Sequence, residues 1–264
     1  MPTARRVAVV VAWATQATVL GSGLIWLGAS IEDARLAARA STAKGPFKRI
    51  ELAFHAYHDR YGCFPPAYVA DEAGRPMHSW RVLLMPFLSS PQISQRYRFD
   101  EPWDSPNNRK LVDDFACREF HFEAESPDPR FTNIVVVVGE GTVFPGTRSV
   151  SKGEISDGLE NTILFTEITD SDILWSEPRD LRLEGLEVQK RRTNPNSISS
   201  AGWRQPRANR IGADGDRQFT IPFDIPARSL RALLTIAGGE GRFEDFIPVT
   251  GFDDKPRWRP YDLR

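Results

Sequence analysis

The chain has 264 residues, of which 26% are charged, and its formal net charge at neutral pH is −1. Such a balance of charge is unlike the basic surface of a nucleic-acid-binding protein, so nucleic acid is not an expected partner. Twenty prolines and nineteen glycines favour a turn-rich chain over a helical bundle.

A long uncharged segment lies near the N-terminus, from Val7 to Ala29. Its length of about 23 residues is enough to cross a bilayer core as a helix. Arg5 and Arg6 precede it, which predicts a cytoplasmic N-terminus and places everything after Ser30 outside the inner membrane. Two alternatives are a cleaved signal peptide, whose apolar core is usually shorter, and a buried helix of a soluble protein.

A second helical region follows this segment. Residues 31–43 are rich in Ala and Arg and predict a helix that Gly45-Pro46 should kink or break. Five residues then recur at spacings of three and four, which predicts one helical face packed on a sheet. They are Phe47, Ile50, Phe54, Tyr57 and Tyr61, and the opposite polar face carries Lys48, Glu51 and Asp59. Gly62 is the expected C-cap of this helix.

The later elements are shorter. Helices are predicted from Ser79 to Leu88 and from about Asn107 to Asp114. The β-branched run Phe131–Val138 predicts a strand buried on both faces, and Asn161–Ile168 predicts a second strand. The remaining predictions are a strand at 173–176, a surface loop at 189–210, a hairpin turn at Asp214-Gly215, a strand at 217–221, a helix at 229–236 and an extended tail at 242–264.

This order of elements predicts an α+β fold. A long N-terminal helix would cross the membrane with its first half and pack with its second half on a mostly antiparallel sheet. The predicted domains are a transmembrane anchor at 1–30, an extracytoplasmic domain with long irregular loops at 31–240 and a C-terminal tail at 241–264.

Two groups of residues are candidates for contact with a ligand or partner. The first comprises Trp103, Asp104 and Asn107, near Glu101, and the second comprises Trp175 and Glu177, near Asp180. Oxygen ligands and an exposed indole ring suit calcium or a sugar. The alternative is a structural turn whose Asp and Asn side chains bond backbone N–H groups, and it is favoured because no EF-hand loop pattern is present.

Other reactive residues are few. His55 and His58 have a spacing that suits a shared metal ion, but the other two histidines add no ligand spacing, so no metal or cofactor is expected. Cys63 and Cys117 are the two cysteines, and either a disulfide or two buried thiols is consistent with the sequence. The chain has no G-x-S-x-G nucleophile motif, and we expect no enzyme.

Seven collinear blocks between about residues 30 and 240 carry a family resemblance. They are 52–68 (LAFHAYHDRYGCFPPAY), 79–88 (SWRVLLMPFL), 99–108 (FDEPWDSPNN), 132–146 (TNIVVVVGEGTVFPG), 157–167 (DGLENTILFTE), 175–181 (WSEPRDL) and 230–240 (LRALLTIAGGE). These blocks resemble a large planctomycete family of unknown function with a type IV pilin-like N-terminus. The resemblance implies a pseudopilin-like protein, with a helix leading from the membrane into an extracytoplasmic sheet domain and without established catalytic residues.

Both processing marks of that family are missing from this chain. Residues 5–10 (RRVAVV) stand where many members have a G-F-T-L-I-E cleavage motif, and Arg204 stands where the H-X9-DG element has its histidine. Their absence predicts that the anchor is retained. The expected function is that of a structural or assembly protein of a secretion, pilus-type or cell-surface system, which associates with itself or with protein partners. The alternative is an anchored extracytoplasmic protein that binds a glycan or another small ligand.

Overall fold

The computed structural model describes residues 45–88, 91–115, 118–121, 128–200, 206–210 and 218–238. All of them except Gly45 fall in one compact unit that starts at Pro46. None of the helices in these ranges is long and apolar enough to cross a membrane. The predicted anchor at 7–29, the helix at 31–43, Cys117 and the tail at 242–264 lie outside the described residues, so they stay predictions.

The first described element is helix α1, which is helical from residue 45 to residue 61. Phe47, Ile50 and Phe54 are fully buried, which confirms the predicted apolar face. Gly62 has a positive φ of 76°, and its N–H donates to the carbonyl of His58 at 2.7 Å, so the predicted C-cap is confirmed. Gly45-Pro46 is itself helical, and the chain before it is not described.

Two residues of α1 differ from the prediction. Glu51 was predicted on the polar face but is buried, and its carboxylate lies 3.4 Å from Lys48 Nζ. Tyr61 was predicted on the buried face but is 54% exposed. Its ring packs on the half-buried rings of Tyr57 and Phe87 instead of on the sheet, because the last turn of α1 contacts a surface segment.

A β-hairpin and three short helices follow. The hairpin pairs β1 (Tyr68–Ala70) with β2 (Pro76–Ser79) in antiparallel orientation. The helices are α2 (Trp80–Leu84), continued by a 3₁₀ turn (Met85–Phe87), then α3 (Pro91–Arg96) and α4 (Pro106–Asp114). α2 and α4 confirm two predictions, and each begins after a serine whose hydroxyl accepts a backbone N–H, Ser79 for α2 and Ser105 for α4.

The main sheet has four strands. They are β3 (Ile134–Val135), β5 (Ile163–Glu167), β9 (Arg207–Arg210) and β10 (Gln218–Thr220), in the spatial order β10-β9-β5-β3 and antiparallel throughout. Phe47 and Phe54 of α1 pack on Phe165 of β5, with ring centroids 5.2 and 5.9 Å apart. The last helix, α5 (Ala227–Leu234), adds Leu233 and Leu234 to the core. The predicted α+β class is confirmed.

The run Phe131–Val138 was predicted as one strand but is divided in two. After β3, the N–H of Val136 donates to Asp180 Oδ1 at 3.0 Å instead of to a neighbouring strand. The chain then forms β4 (Val137–Val138), which pairs in parallel with β6 (Leu181–Arg182). The carboxylate of Asp180 therefore ends one strand pairing and allows a second one to begin.

Several other boundaries also differ. The strand predicted at 173–176 is wrong, because only Leu174 forms a β-bridge and Trp175 already starts a turn. The surface loop predicted at 189–210 is also wrong, because it contains β8 (Ser197–Ser199), which is buried and pairs in parallel with β7 (Glu187–Gln189), and β9. Strand β10 is confirmed, while the turn at Asp214-Gly215 is outside the described residues. Helix α5 lies two residues before its predicted position.

Candidate functional site

A buried ion pair joins Arg81, at the start of α2, to Asp180, just before β6. The two side chains are 0% and 2% exposed. The guanidinium donates to both carboxylate oxygens, while its Nε donates to the carbonyl of Ile134 at 3.0 Å. Asp180 also accepts the indole N–H of Trp80 at 3.1 Å and the N–H of Val136. We call Trp80, Arg81, Val136 and Asp180 the buried node.

The electrostatics of the buried node follow from its isolation from water. Burial raises the pKa of the Asp180 carboxyl above its usual range, while Arg81 and the two uncharged donors oppose the rise. Burial lowers the pKa of the Arg81 guanidinium, while the charge and the hydrogen bond of Asp180 oppose that shift. The buried node joins three of the sequence blocks that carry the family resemblance, and its polar atoms bond to one another. We therefore assign it the role of holding these segments of the fold together.

A second cluster is the loop at 97–108, where Asn108 is completely buried at the centre. Its Oδ1 accepts the N–H of Arg98 at 3.0 Å, and its Nδ2 donates to the carbonyls of Arg98, Glu101 and Pro102. One amide side chain therefore satisfies four backbone groups of a segment that has no strand partner. The block FDEPWDSPNN owes its tight turn to this residue.

The first group of predicted contact residues lies on the outside of this loop. Trp103 is half-buried, and its backbone N–H donates to the carbonyl of Met77 in β2 at 2.9 Å. Asp104 is exposed. Asn107 is also exposed, and its Nδ2 donates to both oxygens of Glu101 at 2.9 Å. The loop brings these residues together, and Glu101 is occupied by Asn107 and by Arg98 at 2.8 Å.

The second predicted group has a different environment. Trp175 is 1% exposed, and its indole N–H donates to the carbonyl of Phe115 at 3.2 Å, so the expectation of an exposed ring is wrong. Glu177 accepts the N–H of Leu174 and the Nε of Arg179, at 3.2 and 2.6 Å. Both side chains hold the turn that replaces the predicted strand. No hydrogen bond or ring contact between described residues joins the two groups.

The described histidines and Cys63 do not form a metal site. His58 Nε2 accepts the N–H of Lys152 at 3.2 Å, so this nitrogen is occupied by backbone. Within the described ranges no three His, Cys, Asp or Glu side chains converge on a point suitable for a metal ion. Cys63 is a free thiol 3.6 Å from the carbonyl of Tyr61. Of the two alternatives, a disulfide or two thiols, the structure has the free thiol at Cys63, while Cys117 lies outside the described residues.

Sequence reasoning missed a buried histidine beside the loop. His78 of β2 is 4% exposed, with Nδ1 3.0 Å from the hydroxyl of Tyr97 and Nε2 3.0 Å from the carbonyl of Phe99. Since a carbonyl can only accept, Nε2 carries the proton and Nδ1 accepts from Tyr97. Burial lowers the pKa of His78, so the neutral ring is favoured.

Sequence reasoning also missed two exposed apolar surfaces. Tyr61 with Phe87 forms the first. The second comprises Phe99, which is 46% exposed, and Val69, which is 37% exposed, and His78 links them, because it contacts Phe99 and lies opposite Val69 in the hairpin. The spacing of Tyr57 and Tyr61 was correctly assigned to one helical face. The sequence signal for the exposure of Tyr61 is Gly62, which ends α1 directly after it. No further helical turn follows that could shield the ring of Tyr61 from solvent.

Comparison with known proteins agrees with the family resemblance over part of the chain. The family model described as "Protein of unknown function (DUF1559)" matches residues 32–128, which is less than half of the 264 residues. The matched stretch includes α1, the hairpin, α2 to α4, Arg81 and Asn108. No curated protein and no solved structure gives a significant match. The predicted resemblance to a family of unknown function is therefore confirmed for that stretch.

Proposed function

We propose that the chain is a single-pass inner-membrane protein with a pilin-like extracytoplasmic domain and a structural or assembly role. Its anchor is residues 7–29, its domain lies in the periplasm or extracytoplasmic space, and its partners are proteins or further copies of itself. The observation that carries the proposal is the uncharged run Val7–Ala29 after Arg5-Arg6. A run of this length and flanking charge is typical of a membrane anchor.

The arrangement of the domain supports a non-catalytic role. A helix that packs its apolar face on an antiparallel sheet is the architecture that the pseudopilin-like resemblance implies. The polar residues of the resembling blocks, such as Asp180 and Asn108, bond to other parts of the chain. A catalytic site needs such groups aimed at a substrate.

The first test is the state of the N-terminus in native membranes. Membranes would be washed with alkaline carbonate, and the N-terminal peptide of the retained protein would be read by mass spectrometry. Retention with residues 1–30 intact is the expected result. A soluble protein that begins near Ser30 would overturn the anchor, and an N-methylated residue within 7–29 would show processing as a prepilin.

A matched pair of variants sharpens this test. Leu20→Arg places a charge near the centre of the apolar run, where insertion then costs about 2.5–3.5 kcal/mol, and should reduce retention. Leu36→Arg makes the same change outside the run and should leave retention unchanged. Equal behaviour of the two variants would contradict an anchor at 7–29.

A second candidate function is the binding of a glycan or other small ligand at the loop. It is supported by the half-buried ring of Trp103 beside the exposed carboxylate of Asp104. Fluorescence would be compared between the parent chain and Trp103→Phe during titration with cell-wall oligosaccharides and with Ca²⁺. A saturable change that Trp103→Phe abolishes would favour binding, and identical traces would exclude a ligand that contacts this ring.

A further inference from the structure

Two exposed apolar surfaces of the described domain carry opposite charge. We call Tyr57, Arg60, Tyr61 and Phe87 the basic aromatic patch, and Val69, Phe99, Asp100 and Asp104 the acidic patch. Ring contacts join Tyr57, Tyr61 and Phe87 within the first surface, and no ring contact between described residues joins one surface to the other.

The basic aromatic patch is a preformed surface at the end of α1. The ring centroid of Tyr61 lies 4.5 Å from that of Tyr57 and 6.3 Å from that of Phe87, which stands at 86° to it. The guanidinium of Arg60 lies 5.6 Å from the centroid of the Tyr61 ring. Arg60 is exposed, and within the described ranges no carboxylate pairs with it. The patch therefore combines rigid aromatic area with an uncompensated positive charge, a composition typical of interface hot spots.

The acidic patch is held by the hairpin and by the loop at 97–108. Val69 lies opposite His78 across the hairpin, and the ring of His78 contacts that of Phe99, with centroids 5.4 Å apart. Asp100 and Asp104 are exposed, and neither forms an ion pair with another described residue. By contrast, Glu101 between them is bonded to its own loop. Asp100 follows Phe99 directly in the chain and Asp104 lies in the same loop, so this loop presents two carboxylates without an ion pair together with an exposed ring.

We propose that the basic aromatic patch of one copy docks on the acidic patch of a second copy. Arg60 would face Asp100 and Asp104, while Tyr61 and Phe87 would cover Phe99 and Val69. Contact between two like patches would bring Arg60 against its own counterpart, or aspartates against aspartates, so charge complementarity selects the unlike pair.

A contact between unlike patches leaves one copy with a free acidic patch and the other copy with a free basic aromatic patch. Such a head-to-tail contact continues into a ring or an open filament rather than stopping at a dimer. The patches are small, so the contact is weak in dilute solution, and confinement of the copies to one membrane raises their effective concentration. The raised effective concentration rests on the proposed membrane anchor, whereas the contact between the two patches does not.

The test uses charge reversal in the full chain, reconstituted in vesicles of phosphatidylethanolamine and phosphatidylglycerol. Copies with a photoreactive benzophenone amino acid in place of Phe87 would be irradiated, and the yield of intermolecular cross-links would be measured. Arg60→Glu alone and Asp100→Lys with Asp104→Lys alone should each reduce the yield by about tenfold or more, because like charges then oppose each other. An equal mixture of the two variants should restore the yield, because each patch again meets its opposite.

Mapping the cross-link and a matched control make the result decisive. Mixed isotope-labelled copies should place the product between residue 87 of one copy and residues 99–104 of another. Leu52→Ser is the control for Tyr61→Ser, because both side chains lie on α1 and are 54% exposed, yet only Tyr61 belongs to the patch. A product within residues 57–61 of the second copy, no restoration in the mixture, or equal effects of the two serine variants would overturn the proposal.

Failure of the anchor can be told apart from failure of the contact. Flotation of the same vesicles shows whether the chain is embedded, independently of cross-linking. If the chain does not float, cross-linking is repeated in solution at about 1 mM, the order of the effective concentration of tethered sites. Cross-links to 99–104 without flotation would retain the contact and reject the anchor, whereas flotation without cross-links would do the reverse.

Discussion

Replacement of Asp180 by alanine should be among the most destabilising single changes in the described domain. It removes the acceptor of the Arg81 guanidinium, the Trp80 indole N–H and the Val136 N–H. Loss of one partner from a buried ion pair costs about 3–5 kcal/mol. Each uncharged donor left unsatisfied costs about 1–3 kcal/mol, part of which water entering the vacated space recovers. We expect Asp180→Ala to lower the free energy of unfolding by about 4–5 kcal/mol.

A double variant separates the buried charge from the remaining hydrogen bonds. Arg81→Met with Asp180→Leu removes both charges and refills most of the volume, a replacement that is often neutral or stabilising for an isolated ion pair. The N–H groups of Trp80 and Val136 still lose their acceptor, so a net loss of about 2 kcal/mol is expected. The double variant should therefore be more stable than Asp180→Ala.

The assay is urea unfolding of the full chain in a mild detergent, followed by tryptophan fluorescence, with midpoints compared at constant m-value. Asp172→Ala is the matched control, because its carboxylate is 63% exposed, in contrast to that of Asp180, although it pairs with both Arg179 and Arg192. A surface pair of this kind contributes at most about 1 kcal/mol. The reasoning is refuted if Asp180→Ala is no less stable than Asp172→Ala, or if the double variant is less stable than Asp180→Ala.

Three further predictions concern other positions of the domain. Asn108→Ala should cost about 3 kcal/mol, because four backbone groups lose a buried partner, and should speed amide hydrogen exchange at 98–105, whereas exposed Asn107→Ala should do neither. Gly139→Ala should lower the free energy of unfolding, measured by urea, by about 1–3 kcal/mol, because a Cβ there would lie 2.6 Å from Leu183 Cβ. Gly153→Ala, whose Cβ would lie 3.9 Å from its nearest atom, should be neutral. The pKa of His78 is lowered in the folded chain, so the unfolded chain takes up the proton at a higher pH. The free energy of unfolding should therefore fall as the pH drops below about 6.5, and His78→Phe should remove that dependence. An NMR titration that gives His78 an ordinary pKa would contradict this.

The parts of the fold that were predictable are those where burial follows a regular period. The spacing of Phe47, Ile50 and Phe54 gave the buried face of α1, and the run Ile163–Glu167 gave the central strand β5. Strand β8 is Ser-Ile-Ser and has no such period, although all three residues are buried. Its buried polar groups form hydrogen bonds with distant residues. For example, the hydroxyl of Ser199 accepts the N–H of Thr169, which is 30 residues away in sequence. A local pattern does not contain that information.

The candidate site was predictable to a similar extent. Trp103, Asp104 and Asn107 are neighbours in sequence, so their meeting in one loop needed no knowledge of the fold. The burial of Trp175 depends on the carbonyl of Phe115, which is 60 residues away, and the division of the run 131–138 depends on Asp180, 44 residues from Val136. Such contacts between distant segments decide whether an aromatic or acidic residue is exposed, and a single sequence does not reveal them.

Side-chain amides and carboxylates replace strand pairing in much of this domain. Asn196 accepts the N–H of Arg182 and donates to the carbonyls of Arg182 and Glu184, as Asn108 does for its own loop. A domain with strands of two to five residues leaves many backbone groups without a ladder partner, and each buried one needs an acceptor or donor. Asp and Asn in the resembling blocks supply them. In a sequence, the same residue types would also suggest a binding site for a metal or a sugar. A residue available for such binding is distinguished by an exposed side chain without a partner in its own chain. Asp100 and Asp104 meet that criterion, whereas Asp180 and Asn108 do not.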